Sequence, residues 1–543
     1  MNVKPFFISL LCAAPLALQA QTADTVLKGS TIEIIQSYKP KVKQSPKPEW
    51  MPQLPPADTN HTAISYDVPQ QTLYYTYNSL PLRPLELGQN LDLPPYPNYV
   101  KLGGGNLSTL YLDAGIGQFK DKDYETALHI HHMSQKGQIK YQQSALSGLE
   151  ADGTLHKAGN DWHVALDAER NQYYYYGYDH SRYDYARDSV KQTYTTVRLV
   201  ADMKNQADSN TEFDYHPLIN ASLYDARYKT SEIAVGFALP LSYRVDSNLD
   251  LGAAINGNLT HFKSDTFSTN NSFIEFRPGV NLHNTPVYGH ANCGLAIGRS
   301  GTLYMLPDIL ASYGLPDKKI SFNAGWQATL RQNTYEQLTT ENPYLYSQYN
   351  LQQNIQQSKR DEVFVGTQFS VGNHITAFIR GSWWSFQSLA TYVNGQSGLS
   401  KQFFVLYDNV NALSLQGSFR YQIASLWSVG ANLDLYQYYN GSEKKVWGIP
   451  SSRLRADITV NPINKLTVTG YFMFMGGIHA MDNNRAAIRL NPITDIGVGA
   501  EYQIVRRLSA FAQISNMLGS KYQRWQGYEA YGFNVYGGLR FKF

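Results

Sequence analysis

The chain ends on the stretch FNVYGGLRFKF, Phe533 to Phe543, which alternates strictly between two kinds of position. Successive side chains of an extended strand point to opposite faces. One face of this strand therefore carries Phe533, Val535, Gly537, Leu539, Phe541 and Phe543, and the intervening residues form the other face. Chain termini usually fray at little cost, so a strict period of two up to the last residue is unusual for a soluble domain. We predict that the final strand has a structural role.

The same alternation runs through the chain from about Tyr99 to its end. In NLDLGAAINGNLT, which begins at Asn248, apolar residues alternate with mostly polar ones, and LWSVGANLDLY from Leu426 and RLRADITV from Arg453 behave in the same way. Many of these runs extend for about 10 to 14 residues, which is longer than usual strands but suits a tilted crossing of a bilayer. No helical period is evident over this region, so the sequence predicts an all-β protein.

The connections between these predicted strands alternate in length. Short turns precede Leu249, His374 and Lys465, whereas long connections occupy Tyr178 to Ser189 and Gln332 to Arg360. Short turns at one rim and long loops at the other are typical of outer-membrane barrels. We therefore predict a transmembrane antiparallel β-barrel of about 22 strands, with about 18 to 22 allowed because the stretch from Gln138 to Asn160 is ambiguous.

A barrel of this kind accounts for the final strand. A bilayer offers no water to unpaired backbone groups, so the first and last strands must pair with each other. We assign barrel closure to the strand that carries Leu539, Phe541 and Phe543.

Composition agrees with a membrane barrel, excludes a helical membrane protein and gives no sign of a nucleic-acid-binding surface. Charged residues make up 16% of the chain, against about 25% in a typical soluble protein. The mean hydropathy is −0.38, and no apolar run near the roughly 18 residues of a membrane helix follows the N-terminus. The formal net charge is +3 without long runs of one sign, so no nucleic-acid partner is expected. Tyrosine, with 41 residues, is typical of membrane interfaces.

The first 20 residues, MNVKPFFISLLCAAPLALQA, match a secretory signal peptide with a basic Lys4, an apolar core and a small residue, Ala20, at the cleavage point. Cys12 is removed with this peptide, so Cys293 is the only cysteine of the mature chain. An internal disulfide and a multi-cysteine metal site are thereby excluded. The expected location is the outer membrane.

Residues 21–95 differ in character from the strand-rich remainder of the chain. They are rich in proline and polar residues, with one short β-like piece, STIEIIQ, from Ser30 to Gln36. We predict a Pro-rich periplasmic tether or partial plug over residues 21–95 and the barrel over residues 96–543.

Two stretches offer side chains for binding. HIHHM places His129 and His131 on one strand face and His132 on the other, and two histidines on one face can share a metal. Because no third ligand is near in sequence, we expect polar residues of the lumen or rim, with no metal and no cofactor. YYYYGY, Tyr173 to Tyr178, fits an aromatic girdle at the membrane interface, with a carbohydrate-stacking platform as the alternative. No GxSxG motif is present, and we expect no enzyme activity.

The last hairpin, ISNMLGSKYQRWQGYEAYGFNVYGGLRFKF from Ile514 to Phe543, resembles that of TonB-dependent receptors. IEIIQSYKP from Ile32 and YVKLGGGN from Tyr99 are similar to segments of the plug-poor TonB-receptor-like barrels of Bacteroidetes. The resemblance implies that Phe543, Phe541 and Leu539 form the signal for the barrel insertion machinery. It also makes Thr31, Ile32, Glu33, Ile34 and Ile35 a candidate contact with TonB.

The same resemblance implies a function in uptake or passage of solutes across the outer membrane. A full receptor of that family carries an N-terminal plug, and residues 21–95 offer room for only about half of one. The alternative is an outer-membrane scaffold or assembly partner that binds other envelope proteins. An outer-membrane enzyme is the third and weakest alternative.

Overall fold

The computed structural model describes residues 98–120, 123–205, 212–227, 229–283, 286–315, 319–346, 355–371, 374–394, 401–423, 426–482 and 484–543. The predicted signal peptide and the tether over residues 21–95 lie outside these residues.

A closed antiparallel barrel of 22 strands dominates the described residues. Its strands are β1 (Tyr99–Gly105), β2 (Thr109–Lys120), β3 (Tyr124–Lys136), β4 (Gln143–Lys157), β5 (Asn160–Tyr174), β6 (Lys191–Asn205), β8 (Leu218–Ala226), β9 (Thr230–Arg244), β10 (Leu249–Lys263), β12 (Phe273–Leu282), β13 (Val287–Ile297), β14 (Leu303–Gly314), β15 (Ile320–Arg331), β16 (Ser358–Val371), β17 (Ile375–Asn394), β18 (Phe403–Ile423), β19 (Trp427–Tyr439), β20 (Ser452–Ile463), β21 (Leu466–Gly476), β24 (Ile493–Val505), β25 (Leu508–Ser515) and β28 (Asn534–Lys542). The predicted fold class is confirmed. The stretch from Gln138 to Asn160, whose strand content was ambiguous, contains β4.

Shorter elements accompany the barrel. Two short strands extend the line of a neighbouring barrel strand. β7 (Phe213–Tyr215) is in line with β8 and pairs with β9, and β11 (Ser268–Asn270) is in line with β12 and pairs with β10. Pro217, which has no backbone N–H to donate, lies between β7 and β8. The connections contain β22 (His479–Met481), β23 (Ala487–Arg489), β26 (Gln523–Trp525), β27 (Tyr528–Glu529), the helices α1 (Arg187–Val190) and α2 (Tyr335–Glu341), and a 3-10 turn at Arg299–Gly301.

The first and last strands pair with each other and close the barrel, as the alternating pattern of the final strand predicted. β1 pairs with β28 in a register that runs from Tyr99 opposite Lys542 to Gly105 opposite Tyr536. Beyond this ladder, the backbone N–H of Phe543 donates to the carbonyl of Asn98 at 3.0 Å. Every residue of β1 is thus paired on both sides, with β2 and with β28.

Alternation along the strands separates two faces. Large apolar side chains such as Leu251, Ile255 and Leu539 are exposed on the outside, where a bilayer would contact them. Acidic side chains such as Glu232 and Asp495 are buried on the inside. An apolar exterior around a polar interior is the arrangement of an outer-membrane barrel. Among the described residues, no helix has the length and apolar character needed to span a membrane.

The connections divide between two rims, which we call the turn rim and the loop rim. The turn rim carries the end of β28 and short connections such as residues 158–159, 464–465 and 506–507. The loop rim carries the long connections, including residues 175–190, 332–357 and 516–533. The predicted alternation of short turns and long loops is therefore confirmed for these connections.

Candidate functional site at the barrel mouth

Three long connections of the loop rim meet at one place. These mouth loops are residues 175–190, the described residues 332–346 and 355–357 of the second connection, and residues 516–533. They follow the fifth, the thirteenth and the twenty-first of the 22 barrel strands, so they start at well-separated points of the closed sheet. Contacts between them therefore have to reach across the opening of the barrel.

Each mouth loop contacts the other two. The ring of Tyr344 stacks on that of Tyr528 with 3.5 Å between centroids. The ring of Tyr176 meets Tyr528 edge to face at 4.9 Å. The hydroxyl of Tyr175 donates to the carbonyl of Leu345 at 2.9 Å. The three loops thus form one connected structure over the lumen.

The buried apolar side chains at this junction form what we call the mouth cluster. It joins residues of the mouth loops to inward-facing residues at the loop-rim ends of the strands: Tyr174, Tyr175, Tyr176, Tyr178, Val190, Tyr194, Tyr224, Ala226, Phe262, Tyr335, Leu338, Leu345, Ile355, Ala390, Tyr392, Phe403, Val405, Trp525 and Tyr528. The stretch Tyr173 to Tyr178 supplies four of these residues. Its interpretation as an interfacial girdle is therefore wrong, because Tyr174 and Tyr175 are each only 1% exposed and pack inside the mouth.

Tyrosine suits this position because its ring can be buried while its hydroxyl satisfies a backbone carbonyl. The hydroxyl of Tyr194 donates to the carbonyl of Pro343 at 2.8 Å, and that of Tyr176 donates to the carbonyl of Glu529 at 2.7 Å. Burial raises the pKa of Tyr176 to about 12 and that of Tyr344 well above its usual value. Both hydroxyls therefore stay protonated at neutral pH and remain available as donors.

Helix α2 anchors the second mouth loop to the barrel wall. The side chain of Thr334 accepts from the backbone N–H of Gln337 at 3.2 Å and so caps the helix. The carboxylate of Glu232, on β9, accepts from the N–H groups of Tyr335 at 2.7 Å and Glu336 at 3.1 Å. Unpaired N–H groups at a helix start favour a negative partner. The sequence interpretation missed this helix, although TYEQ at residues 334–337 has the capping-box pattern.

A partly buried ion pair lies at the other end of α2. Arg331 Nη1 is 2.6 Å from Glu341 Oε1, and the hydroxyl of Tyr392 donates to Glu341 Oε2 at 2.6 Å. Burial alone would raise the pKa of Glu341, but Arg331 and the bond from Tyr392 outweigh it and hold that pKa below its usual range. This pair links α2 to β15 and β17, so both ends of the helix are fixed to the wall.

The predicted closure and insertion residues lie where the sequence placed them. Leu539, Phe541 and Phe543 face outward from the final strand, and about half of each side chain is exposed to the surroundings of the barrel. The pairing of β28 with β1 closes the barrel, while the roles given to these three residues in closure and insertion stay predictions. The candidate TonB contact, Thr31 to Ile35, lies outside the described residues.

The histidines of HIHHM also occupy the predicted faces. His129 and His131 point inward, whereas His132 contacts Ser147 on the outward face with 2.7 Å between Nδ1 and Oγ. The expectation that no third ligand lies near was wrong. Glu150 on β4 is directly opposite His129, and its carboxylate lies 3.6 Å from His129 Nδ1. This neighbour follows from strand register, which sequence spacing does not reveal.

Comparison with solved structures identifies the fold. The FrpB iron transporter from Neisseria meningitidis matches with a TM-score of 0.64 and 10% identity, covering 82% of this chain and 81% of that one. A ferric enterobactin receptor (PfeA) mutant from Pseudomonas aeruginosa matches with a TM-score of 0.60 and 9% identity, covering 82% and 80%. The ferripyoverdine receptor of the outer membrane of Pseudomonas aeruginosa matches with a TM-score of 0.62 and 12% identity, covering 82% and 72%.

No protein-family model matches the sequence, and no curated protein matches it either. The resemblance to TonB-dependent receptors is confirmed at the level of the fold. With its apolar exterior, this barrel places the protein in an outer membrane.

Proposed function

We propose that the chain takes up or passes solutes across the outer membrane through a barrel whose mouth is controlled by the three mouth loops. The observation that carries this proposal is the stacking of Tyr344 on Tyr528 between loops from distant parts of the wall. Such a junction closes an otherwise wide lumen and can separate without disturbing the strands. The structural neighbours, which are named as an iron transporter and receptors, support the same class of function.

Opening is proposed to start from the periplasmic side. In this scheme residues 21–95 form the tether or partial plug, and Thr31 to Ile35 contact TonB, as the family resemblance implies. The barrel insertion machinery would recognise the final strand through Phe543, Phe541 and Leu539. The aromatic faces and hydroxyls of the mouth cluster would give an arriving solute its first contacts.

Deletion of Thr22 to Leu93 tests transport against the scaffold alternative. Both forms of the purified protein would be measured in planar bilayers and also examined for co-purifying envelope proteins. A transporter predicts that small or intermittent currents become larger and steadier in the deletion variant. Unchanged currents together with the loss of a co-purifying partner would contradict transport and favour a scaffold.

A further inference from the structure

Four inward-facing side chains from three adjacent strands converge near the middle of the wall: Asp113 on β2, His129 and His131 on β3, and Glu150 on β4. One possible ligand atom from each of His129, His131 and Glu150 lies within 4.8 Å of the other two. Glu150 reaches both histidines, since its oxygens lie 3.6 Å from His129 Nδ1 and 3.8 Å from His131 Nδ1.

His131 lacks the hydrogen bonds that a buried imidazole usually makes. Both of its ring nitrogens are buried, and neither has a hydrogen-bond partner in the described part of the chain. Buried polar atoms are normally satisfied, so an unsatisfied pair needs a cause. Its ring lies over Gly148, where an added Cβ would be 2.5 Å from His131 Nε2. Glycine at this position gives the imidazole its room beside Glu150.

Asp113 is placed to orient His129. Its Oδ2 lies 3.4 Å from His129 Nε2, whereas Nδ1 of the same ring is turned toward Glu150. A carboxylate that accepts from the far nitrogen of a histidine fixes the tautomer in which the near nitrogen is a ligand. His129 is therefore prepared to bind a cation through Nδ1.

We propose that His129, His131 and Glu150 bind one divalent transition-metal ion on the inner wall of the barrel, with Asp113 as the positioning residue. Two imidazoles and one carboxylate are a ligand set used for zinc sites that keep an open position. Ligand bonds of about 2.0 to 2.1 Å in a tetrahedral site require ligand atoms about 3.4 Å apart. The three candidate ligand atoms lie within 4.8 Å of one another, so metal binding would have to draw the three side chains closer to reach that spacing. The fourth position would face the lumen, where water or a passing solute can occupy it.

This site does not depend on the proposed transport function, so its test uses binding alone. The full-length protein, purified in detergent and stripped with a chelator, would be titrated with ZnCl2 by calorimetry. Co2+ would be added separately, because its visible absorption reports tetrahedral nitrogen and oxygen ligation. We expect one Zn2+ per chain. Glu150→Gln should weaken binding by at least about tenfold, and Asp113→Asn should weaken it by about ten- to a hundredfold.

His132→Ala is the matched control, since His132 neighbours His131 in sequence but faces outward. It should bind Zn2+ as the unaltered protein does. Glu150→Gln keeps the size of the side chain, and resistance of the barrel to heat in SDS would verify its fold. Absence of Zn2+ binding to the unaltered protein, or equal affinity in the Glu150→Gln variant, would overturn the proposal.

Discussion

At the scale of single residues, the two faces of a strand decide what a substitution costs. Leu433 on β19 lies on the outward face, opposite Leu454, whereas Asn432 lies inward, opposite Arg455. Leu433→Arg should lower the free energy of unfolding in lipid vesicles by about 2 to 4 kcal/mol, because arginine would enter the hydrocarbon region. Asn432→Arg should have a mild effect. Equal losses for the two variants would mean that the faces are assigned wrongly.

Gly538 lies in the closing seam, which is the pairing of β28 with β1. A Cβ added there would lie 1.8 Å from the carbonyl oxygen of Leu102 on β1, well inside any van der Waals contact. Gly538→Ala should therefore impair closure and reduce resistance of the barrel to heat in SDS gels. Gly314→Ala is the control, because nothing lies within 4 Å of its added Cβ. A Gly538→Ala barrel as resistant as the control would contradict a tight seam.

Deletion of Phe543 distinguishes a role in packing from a role in recognition by the insertion machinery. Burying one phenylalanine is worth only about 1.5 to 3 kcal/mol, so its packing alone explains little loss of assembly. Deleting Phe543 should nevertheless reduce the amount of barrel inserted in the outer membrane if insertion machinery reads this residue. The measurement is the folded fraction in membrane preparations. Full insertion of the shortened chain would argue against a recognition role.

At the scale of elements, α2 is the part of the mouth that responds to acid. The pKa of Glu341 is lower in the folded loop than its ordinary value of 4.5. Its contribution to stability is therefore present above that value and is lost as the pH falls below it, through the lower pKa of the folded state. Proteolysis of residues 332–357 in the purified protein should accelerate over this range.

Glu341→Gln isolates this effect. The variant lacks the titrating group, so its loop should already be cleaved faster at neutral pH. Acidification should then increase its cleavage rate less than it does in the unaltered protein. Resistance to heat in SDS would show that the barrel itself is intact. A loop whose acid sensitivity is the same with glutamine at position 341 would contradict the role given to the Arg331–Glu341 pair.

Sequence and structure agree best where a pattern is local. Alternation along a strand and the lengths of connections are local properties, so the barrel, its closure by β28 and the faces of His129 and His131 were predictable. Contacts between distant segments were not. The stacking of Tyr344 on Tyr528 joins separate loops, and the position of Glu150 beside His129 depends on the pairing of β3 with β4. Helix α2, with 7 residues, is too short for periodicity to identify, and only its cap was visible in the sequence.

At the scale of the whole molecule, a wide barrel is combined with a small aromatic junction at its mouth. The wall is held by backbone pairing around a closed sheet, which local changes in the loops leave intact. The mouth depends instead on side chains such as Leu338 and Tyr528, which are 0% and 3% exposed. Substitutions in the mouth can therefore be made without disrupting the strands, so closure of the barrel by the loops can be tested directly.

Single-channel conductance of a variant with a loosened mouth is the most direct test. Leu338→Asp combined with Tyr528→Ala places an unpaired charge in the mouth cluster and removes the ring that Tyr344 and Tyr176 contact. Tyr124→Ala, an exposed tyrosine next to the turn rim, is the control. We predict large, steady currents in planar bilayers for the double variant and small or intermittent ones for the control and the unaltered protein. Equal currents in all three, with the double variant still folded, would contradict closure of the barrel by its mouth loops.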